Sequence, residues 1–281
     1  MITVTQEPLT HTQEPLTQAI TMGEFATFDI ETGPLPDDVL LRLCPEFVPP
    51  AHPGEFDQST VKLGNLKDQA KINDKISQAR MAHLQAVEQY DANVIAASIE
   101  HFAKFKEKAA LDATTGYVVA IGLATATNVS ILSGSLVDEL DELEEQEAWT
   151  LRTFWGLITE LLKSQTPIVG FNIKHFDLPF LVRRSWILEV PVPSGVRVGR
   201  YWSELFIDLM EVWQQGERGY ISLDALAAAF GLAGKVKKVD GIEISGAIFH
   251  ELWKTNREVA VRYLEQDILL PALLAKKMGV V

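Results

Sequence analysis

Two acids stand inside an apolar run near the start of the chain, in Phe28-Asp29-Ile30-Glu31-Thr32, "FDIET". Successive side chains of a strand point to opposite faces, so Asp29 and Glu31 project from the same face. Two carboxylates held so close raise one another's pKa and destabilise the fold unless a cation compensates them. All-oxygen donors suit a hard divalent ion, Mg²⁺ or Mn²⁺, whereas zinc usually recruits His or Cys. Two further acids occupy similarly apolar settings, Asp177 in "GFNIKHFDLPFL" and Asp267 in "VRYLEQDILLPALL". Tyr263 precedes Asp267 by four residues, which on a helix places both on one face. Read singly, each has an ordinary explanation. Asp177 could cap a helix, Asp267 could pair with Arg262 or Lys276, and Tyr263 could be a core aromatic.

The elements that must position these residues follow from the pattern. "EFATFDIET" reads as a core strand ending at Gly33-Pro34. "YVVAIGLATA" and "NVSILSG" are β-rich runs parted at Thr127-Asn128, as in a hairpin. Leu151, Phe154, Trp155, Ile158, Leu161 and Leu162 form the stripe of an amphipathic helix that Pro167 stops. "PIVGFN" predicts a short buried strand, followed by a helix with Asp177 in its N-cap region and Pro179 in its first turn. "LFIDLMEVW" is one more apolar run, "SLDALAAAFGL" a serine-capped helix ending on Gly231, and the last helix runs from about Thr255 to Lys277. A strand pair followed by strands alternating with helices indicates an α/β domain with a mixed sheet.

Other stretches depart from this pattern. "TQEPLT" occurs at 5–10 and again at 12–17, a proline-bearing repeat that cannot form a heptad helix, and residues 1–22 are expected to be a flexible tail. The remainder, 23–281, reads as one domain in which residues 45–115 form an insertion: a proline-rich connection, then Ala-, Lys-, Gln- and Glu-rich sequence with helical spacing of Ile72, Ile76, Ala79, Leu84 and Val87.

With 281 residues, 47% of them hydrophobic, the chain can bury a sizeable core. No apolar run is long enough to span a bilayer and the start lacks the layout of a secretory signal, so a cytoplasmic location is expected. A net charge of −13 argues against coating nucleic acid through a broad basic face, though not against acting on it through bound cations. Part of that excess lies in "VDELDELEEQEAW" (137–149), read as a solvated helix start that includes Glu147. The single cysteine, Cys44, excludes an intrachain disulfide and reads as a small apolar filler. No phosphate-binding loop, His-Glu-x-x-His or dinucleotide fingerprint occurs.

Three motifs in order, "FDIET", Asn172-x-x-x-Phe176-Asp177 and Tyr263-x-x-x-Asp267, resemble the exonuclease motifs of the DEDD superfamily, tyrosine subtype. Their context, "GFNIKHFDLPFL" and "ISLDALAAAFGL", is similar to stand-alone relatives of the proofreading exonuclease domain of family B DNA polymerases, over about residues 24–42 and 117–272. "VKLGNLKDQAKINDKI" (61–76) is similar to phage-borne members of that group, so a bacterial or phage-encoded protein is expected. The resemblance implies an RNase H-like mixed sheet flanked by helices, with the helical insertion after the first strand. It further implies 3′–5′ removal of nucleotides with two Mg²⁺ or Mn²⁺ ions held by Asp29, Glu31, Asp177 and Asp267, Asp29 bridging them. Tyr263 would orient the attacking water, and Asn172 would contact the terminal nucleotide.

Candidate phosphate contacts are Lys174, Arg183 and Arg184 near the second motif and Lys235, Lys237 and Lys238 in "GKVKKVDG". Phe28 and Phe176 are read as core packing by default, with a wedge against a terminal base the alternative for both; His175 is read as an incidental loop residue, with proton donation the alternative. The expected substrate is nucleic acid with a free 3′ end, DNA before RNA. The alternatives are a ribonuclease of the same fold, or a catalytically silent module that docks a replication or recombination protein through the 45–115 insertion.

Overall fold

Strand β1 (Ala26–Pro34) carries "FDIET" into the centre of a five-stranded sheet. The computed structural model describes residues 25–126, 128–134, 140–197, 201–235, 238–239 and 242–281, so the expected tail at 1–22 lies outside the described residues. After β1 come α1 (Asp37–Leu43), α2 (Gln69–Glu88), α3 (Tyr90–Ala109), β2 (Gly116–Ala124), β3 (Val129–Leu132) and α4 (Leu140–Lys163). They are followed by β4 (Ile168–Gly170), α5 (Asp177–Ile187), β5 (Phe206–Asp208), α6 (Leu209–Gln214) and α7 (Leu223–Ala229). A two-residue hairpin of β6 (Lys238–Val239) and β7 (Ile242–Glu243) leads to α8 (Phe249–Thr255) and α9 (Arg257–Lys277).

The sheet order is β3-β2-β1-β4-β5, with β1 antiparallel to β2 and parallel to β4. The β2–β3 pair is antiparallel and the β4–β5 pair parallel, which makes the mixed α/β sheet that the sequence predicts. Alternation along β1 sorts its side chains. Phe28 and Ile30 join the core built with Phe154 of α4 and Leu178 and Leu181 of α5, while Thr27, Asp29 and Glu31 face the other side. On that other side, Gly122 of β2 lies opposite Asp29, and a Cβ there would come within 2.8 Å of Ile268 and 3.0 Å of Leu264 on α9. The bare glycine lets α9 settle close to the sheet, and Thr27 Oγ1 donates to the Ile268 carbonyl at 2.8 Å. Just after Glu31 the register slips by one residue, a bulge that puts Thr32 opposite Val118.

The helix boundaries have local causes. Ser222 Oγ accepts from the Ala225 amide at the start of α7, and Gly231 closes the chain beyond it at a left-handed φ of 68°. Asn256 caps α9. Pro271 inside α9 has no N–H to give the Asp267 carbonyl, so the helix loses one backbone bond directly at that acid. Asp177 does not cap α5: that place falls to Phe176, and the Asp177 carboxylate turns instead to β1.

Glu147 and Arg184 correct the sequence reading. Glu147, expected on a solvated face, is buried on the Leu143-Glu147-Leu151 stripe of α4, and Arg184, expected at phosphate, is buried on α5. Arg184 donates Nε to Glu147 Oε1 at 2.9 Å, Nη2 to Oε2 at 2.6 Å and Nη1 to the Ala113 carbonyl at 3.1 Å. The Val118 amide of β2 also donates to Glu147 Oε1 at 2.9 Å. Burial raises the Glu147 carboxyl, opposed by Arg184 and by the Val118 amide. The pair ties α4, α5 and β2 together.

Two compact units divide the chain: residues Asp37–Ala109, and the rest. In the smaller one, α2 and α3 meet at Gln89, and α2 buries no residue. The proline-rich stretch lies along these helices, with the Tyr90 hydroxyl donating to the Pro50 carbonyl at 2.8 Å, His101 Nε2 2.9 Å from the Pro45 carbonyl, and the Phe47 and His101 rings 5.7 Å apart. Among the described residues, no helix is long and apolar enough to cross a membrane.

Glu147→Ala would leave the Arg184 guanidinium buried without its carboxylate, at a cost of about 3–5 kcal/mol. Urea unfolding is expected to show that loss, and Glu147→Leu combined with Arg184→Met is expected to recover most of it.

Candidate metal centre

Three acids from two elements converge on the face of the sheet under α9. Asp29 and Glu31 leave β1 side by side, Asp267 descends from α9, and one carboxylate oxygen from each lies within 4.8 Å of the others. Glu31 and Asp267 are buried and Asp29 is half-buried. Burial above all, then Asp177, Asp267 and Glu31, holds the Asp29 carboxyl well above the usual range against the opposing charge of Lys235. Glu31 is likewise raised well above its range by burial and by Asp267 and Asp177. Burial raises Asp267 too, opposed by Lys235 and by a hydrogen bond with Tyr263. A set of hard oxygen donors that neighbouring charge leaves so short of compensation fits a divalent cation.

Lys235 supplies the positive charge present. Its Nζ donates to Asp267 Oδ2 at 2.8 Å and stands 5.7 Å from the centre of the Tyr263 ring. Its backbone amide is held by Asp224 Oδ1 at 2.6 Å, which fixes the loop after α7 against the site. Burial pulls the ammonium down, but Asp267 and Asp29 outweigh it and the group stays charged. Burial and the charge of Asp267 push the Tyr263 phenol up, so it is neutral. One helical turn from Asp267, as the spacing predicts, Tyr263 can orient a water by hydrogen bonding and is no base.

Asp177 stands outside the 4.8 Å group but next to it. Its Oδ1 accepts the Ile30 amide at 3.1 Å, between the two β1 acids, and burial pushes its carboxyl up to about 7 against that bond. Ahead of it, Asn172 follows β4 at a left-handed φ of 64°, a conformation asparagine tolerates, and its carbonyl accepts the His175 and Phe176 amides, both at 3.1 Å. The Asn172 and Lys174 amides donate to Asp208, at 2.8 Å and 3.0 Å.

The structure separates the remaining candidates. Phe28 is 1% exposed, its ring 5.4 Å from Phe154 and 6.5 Å from Phe206, and so has no face free for a base; strand alternation turns it away from the acids. Phe176 is half-buried, 5.7 Å from Phe180. Lys174 is engaged by Glu211 at 2.8 Å, and the exposed His175 faces Asp208 and Glu211 at 3.8 Å and 3.9 Å. Arg183 is exposed on α5. The backbone of Lys238 pairs with Glu243 in the small hairpin, and Lys237 lies outside the described residues. Sequence reading overlooked Asp208, although the signal that found the others, an acid in an apolar run, is present in "LFIDLM".

Comparison with known proteins agrees with this geometry. Residues 111–275 match a family described as "Predicted 3'-5' exonuclease related to the exonuclease domain of PolB". The match takes in Asp177, Tyr263 and Asp267 and leaves β1, with Asp29 and Glu31, to be supplied by the sheet pairing. DNA polymerase 2 of Aeropyrum pernix is 27% identical over 198 residues, 66% of this chain, and the aligned part is 23% of the polymerase's length. A matched region that carries Asp177, Tyr263 and Asp267, on a mixed sheet that brings Asp29 and Glu31 beside Asp267, places the chain in the family of predicted 3′–5′ exonucleases related to the PolB exonuclease domain.

Proposed function

We propose that the protein removes nucleotides from the 3′ ends of nucleic acid, single-stranded DNA foremost, by metal-dependent hydrolysis of the terminal phosphodiester. The convergence of Asp29, Glu31 and Asp267 carries this reading, because clustered carboxylates stripped of solvent cost stability unless a cation uses them. The relation to a polymerase exonuclease domain supports DNA over RNA.

Asp29, Glu31 and Asp267 would hold a first ion, with Asp177 beside Asp29 serving a second and Asp29 shared. Divalent ions so held supply Lewis acidity toward phosphoryl oxygens and a bound water acidic enough to attack at neutral pH. Tyr263, anchored on Asp267, would position that water through its neutral hydroxyl. Lys235 brings the charged ammonium that a scissile phosphate requires, and the Asn172–Phe176 turn offers an amide and part of an aromatic ring to the last nucleotide. An overall charge of −13 is compatible with a polyanion because the grip is local.

With Mg²⁺ or Mn²⁺, purified protein is expected to shorten a 5′-labelled oligonucleotide stepwise. Asp29→Ala is expected to reduce the rate on the order of 10²–10³-fold, the loss that follows removal of one charge-stabilising group. An intact label with wild type and variant alike would falsify the proposal, and preferential cleavage of a matched RNA would reassign it to ribonuclease. Tyr263→Phe keeps the ring and loses the hydroxyl, so kcat is expected to fall up to about 10²-fold while Mn²⁺ affinity holds; an unchanged kcat removes the tyrosine from the mechanism.

The pH dependence follows from the raised carboxyls. Asp177, up to about 7 in the folded chain against about 3.9 unfolded, binds more protons folded than unfolded between those values. Its contribution to stability is present below about pH 4 and is lost as pH rises through about 7. Melting in EDTA is therefore expected to show this loss over that window, and excess Mg²⁺ to remove it; identical profiles with and without Mg²⁺ would argue against ion binding here.

A further inference from the structure

Asp208 is buried as deeply as any acid of the metal centre and is not part of it. It ends β5 and caps α6, its Oδ1 accepting the Met210 amide at 3.0 Å. Capping a six-residue helix needs one such bond. Two more bonds leave for another part of the chain: the Asn172 amide donates to Oδ1 at 2.8 Å and the Lys174 amide to Oδ2 at 3.0 Å. Bonds from backbone amides to a buried side-chain carboxyl fix both partners, since the carboxyl has no water to turn to. A second tether lies alongside, where Lys174 Nζ pairs with Glu211 Oε2 on α6 at 2.8 Å.

The turn between β4 and α5 is therefore held from two directions. Behind it, Asp208 fixes its backbone at residues 172 and 174, and Glu211 holds the Lys174 side chain. Ahead of it, the Ile30 amide holds Asp177 Oδ1 at 3.1 Å, between the two β1 acids. What stands between these anchors is the left-handed Asn172 and the half-buried Phe176. Asn172 spends its backbone amide and carbonyl within this framework, so the direction of its side chain is set by whatever holds the turn.

We infer that Asp208 is a positioning residue for the 3′-terminal nucleotide, fixing the Asn172–Phe176 turn relative to the carboxylate centre so that one nucleotide is gripped while its phosphodiester lies over the acids. This rests on the exonuclease reading and deepens it, because it assigns substrate grip to a residue that touches neither metal ligand nor substrate. Glu211, 40% exposed, reinforces the turn through the Lys174 side chain and leaves both backbone bonds to Asp208.

Two substitutions separate grip from stability. Asp208→Asn keeps an acceptor oxygen and sets an amide NH₂ against one of the donors, whereas Asp208→Ser keeps a cap oxygen for α6 and cannot reach the turn. Both are expected to raise KM for a 5′-labelled single-stranded oligonucleotide about tenfold, the scale of one lost hydrogen bond. They should leave kcat and the Mn²⁺ affinity of the substrate-free protein close to wild type. Amide hydrogen exchange should accelerate at Asn172 and Lys174 and stay slow in β1 and β2. A folded variant with wild-type KM overturns the inference. So does a joint fall of kcat, Mn²⁺ affinity and melting temperature in both variants, or failure of both to fold, since each marks a purely structural residue. A wild-type protein that cleaves no nucleic acid overturns the exonuclease reading itself and this inference with it.

Discussion

Three carboxylates that each bring one oxygen within 4.8 Å of the others repel one another, by roughly 3 kcal/mol for each fully ionised pair at an effective dielectric of about 20. The fold holds them together regardless, and much of the architecture can be read as the means of doing so. Alternation along β1 puts Asp29 and Glu31 on the face away from the aromatic core, and the glycine opposite Asp29 lets α9 approach closely enough to deliver Asp267. The lysine after α7 and the tyrosine one turn before Asp267 relieve part of the repulsion, and burial restores it. The result is a cluster of hard oxygen donors whose ionised form lacks compensation, a donor set that fits a divalent cation.

Two ion pairs in the same unit, one buried and one half-buried, differ in how they are satisfied. Glu147 and Arg184 satisfy one another with two side-chain bonds, and the Val118 amide and Ala113 carbonyl take up further capacity, leaving a closed, dry tie between α4, α5 and β2. Such a pair adds little net stability over an apolar replacement but is costly to break, so its effect is to fix how α5 lies on the sheet. Lys235 and Asp267, by contrast, share a single bond, and the lysine side chain is 31% exposed. One pair is closed on itself; the other, in the function proposed above, would exchange partners when a phosphate and cations bind.

The turn that bears Asn172 and Phe176 is held by residues outside it. Asp177 is oriented by a β1 amide rather than by its own helix, and Asp208 holds the backbone of the preceding residues from the neighbouring strand. Parallel strands β4 and β5 end side by side, so a carboxylate at the end of one reaches the turn that leaves the other. Hydrogen bonds thus hold the loop at residues 172, 174 and 177.

By itself the sequence determined the local parts of this protein. Acids in apolar runs, a two-residue period at "FDIET" and a four-residue spacing at Tyr263 and Asp267 marked the chemistry, and hydrophobic periodicity marked the strands and helices, because these signals are short-range and survive without a partner. Which face of a residue meets another element is long-range, and there local reading failed. Glu147 looked solvated until the stripe of α4 was seen to face β2 and α5, and Arg184 looked available to phosphate until it met Glu147; for Phe28, strand alternation, which puts it among Phe154 and Phe206, decided for core packing over a wedge. Only the tertiary structure brought Lys235 to Asp267 across 32 residues, Asp177 to Ile30 across 147, and Asp208 to Asn172 across 36, because such pairings are decided by which strands are neighbours and how closely a helix packs on them.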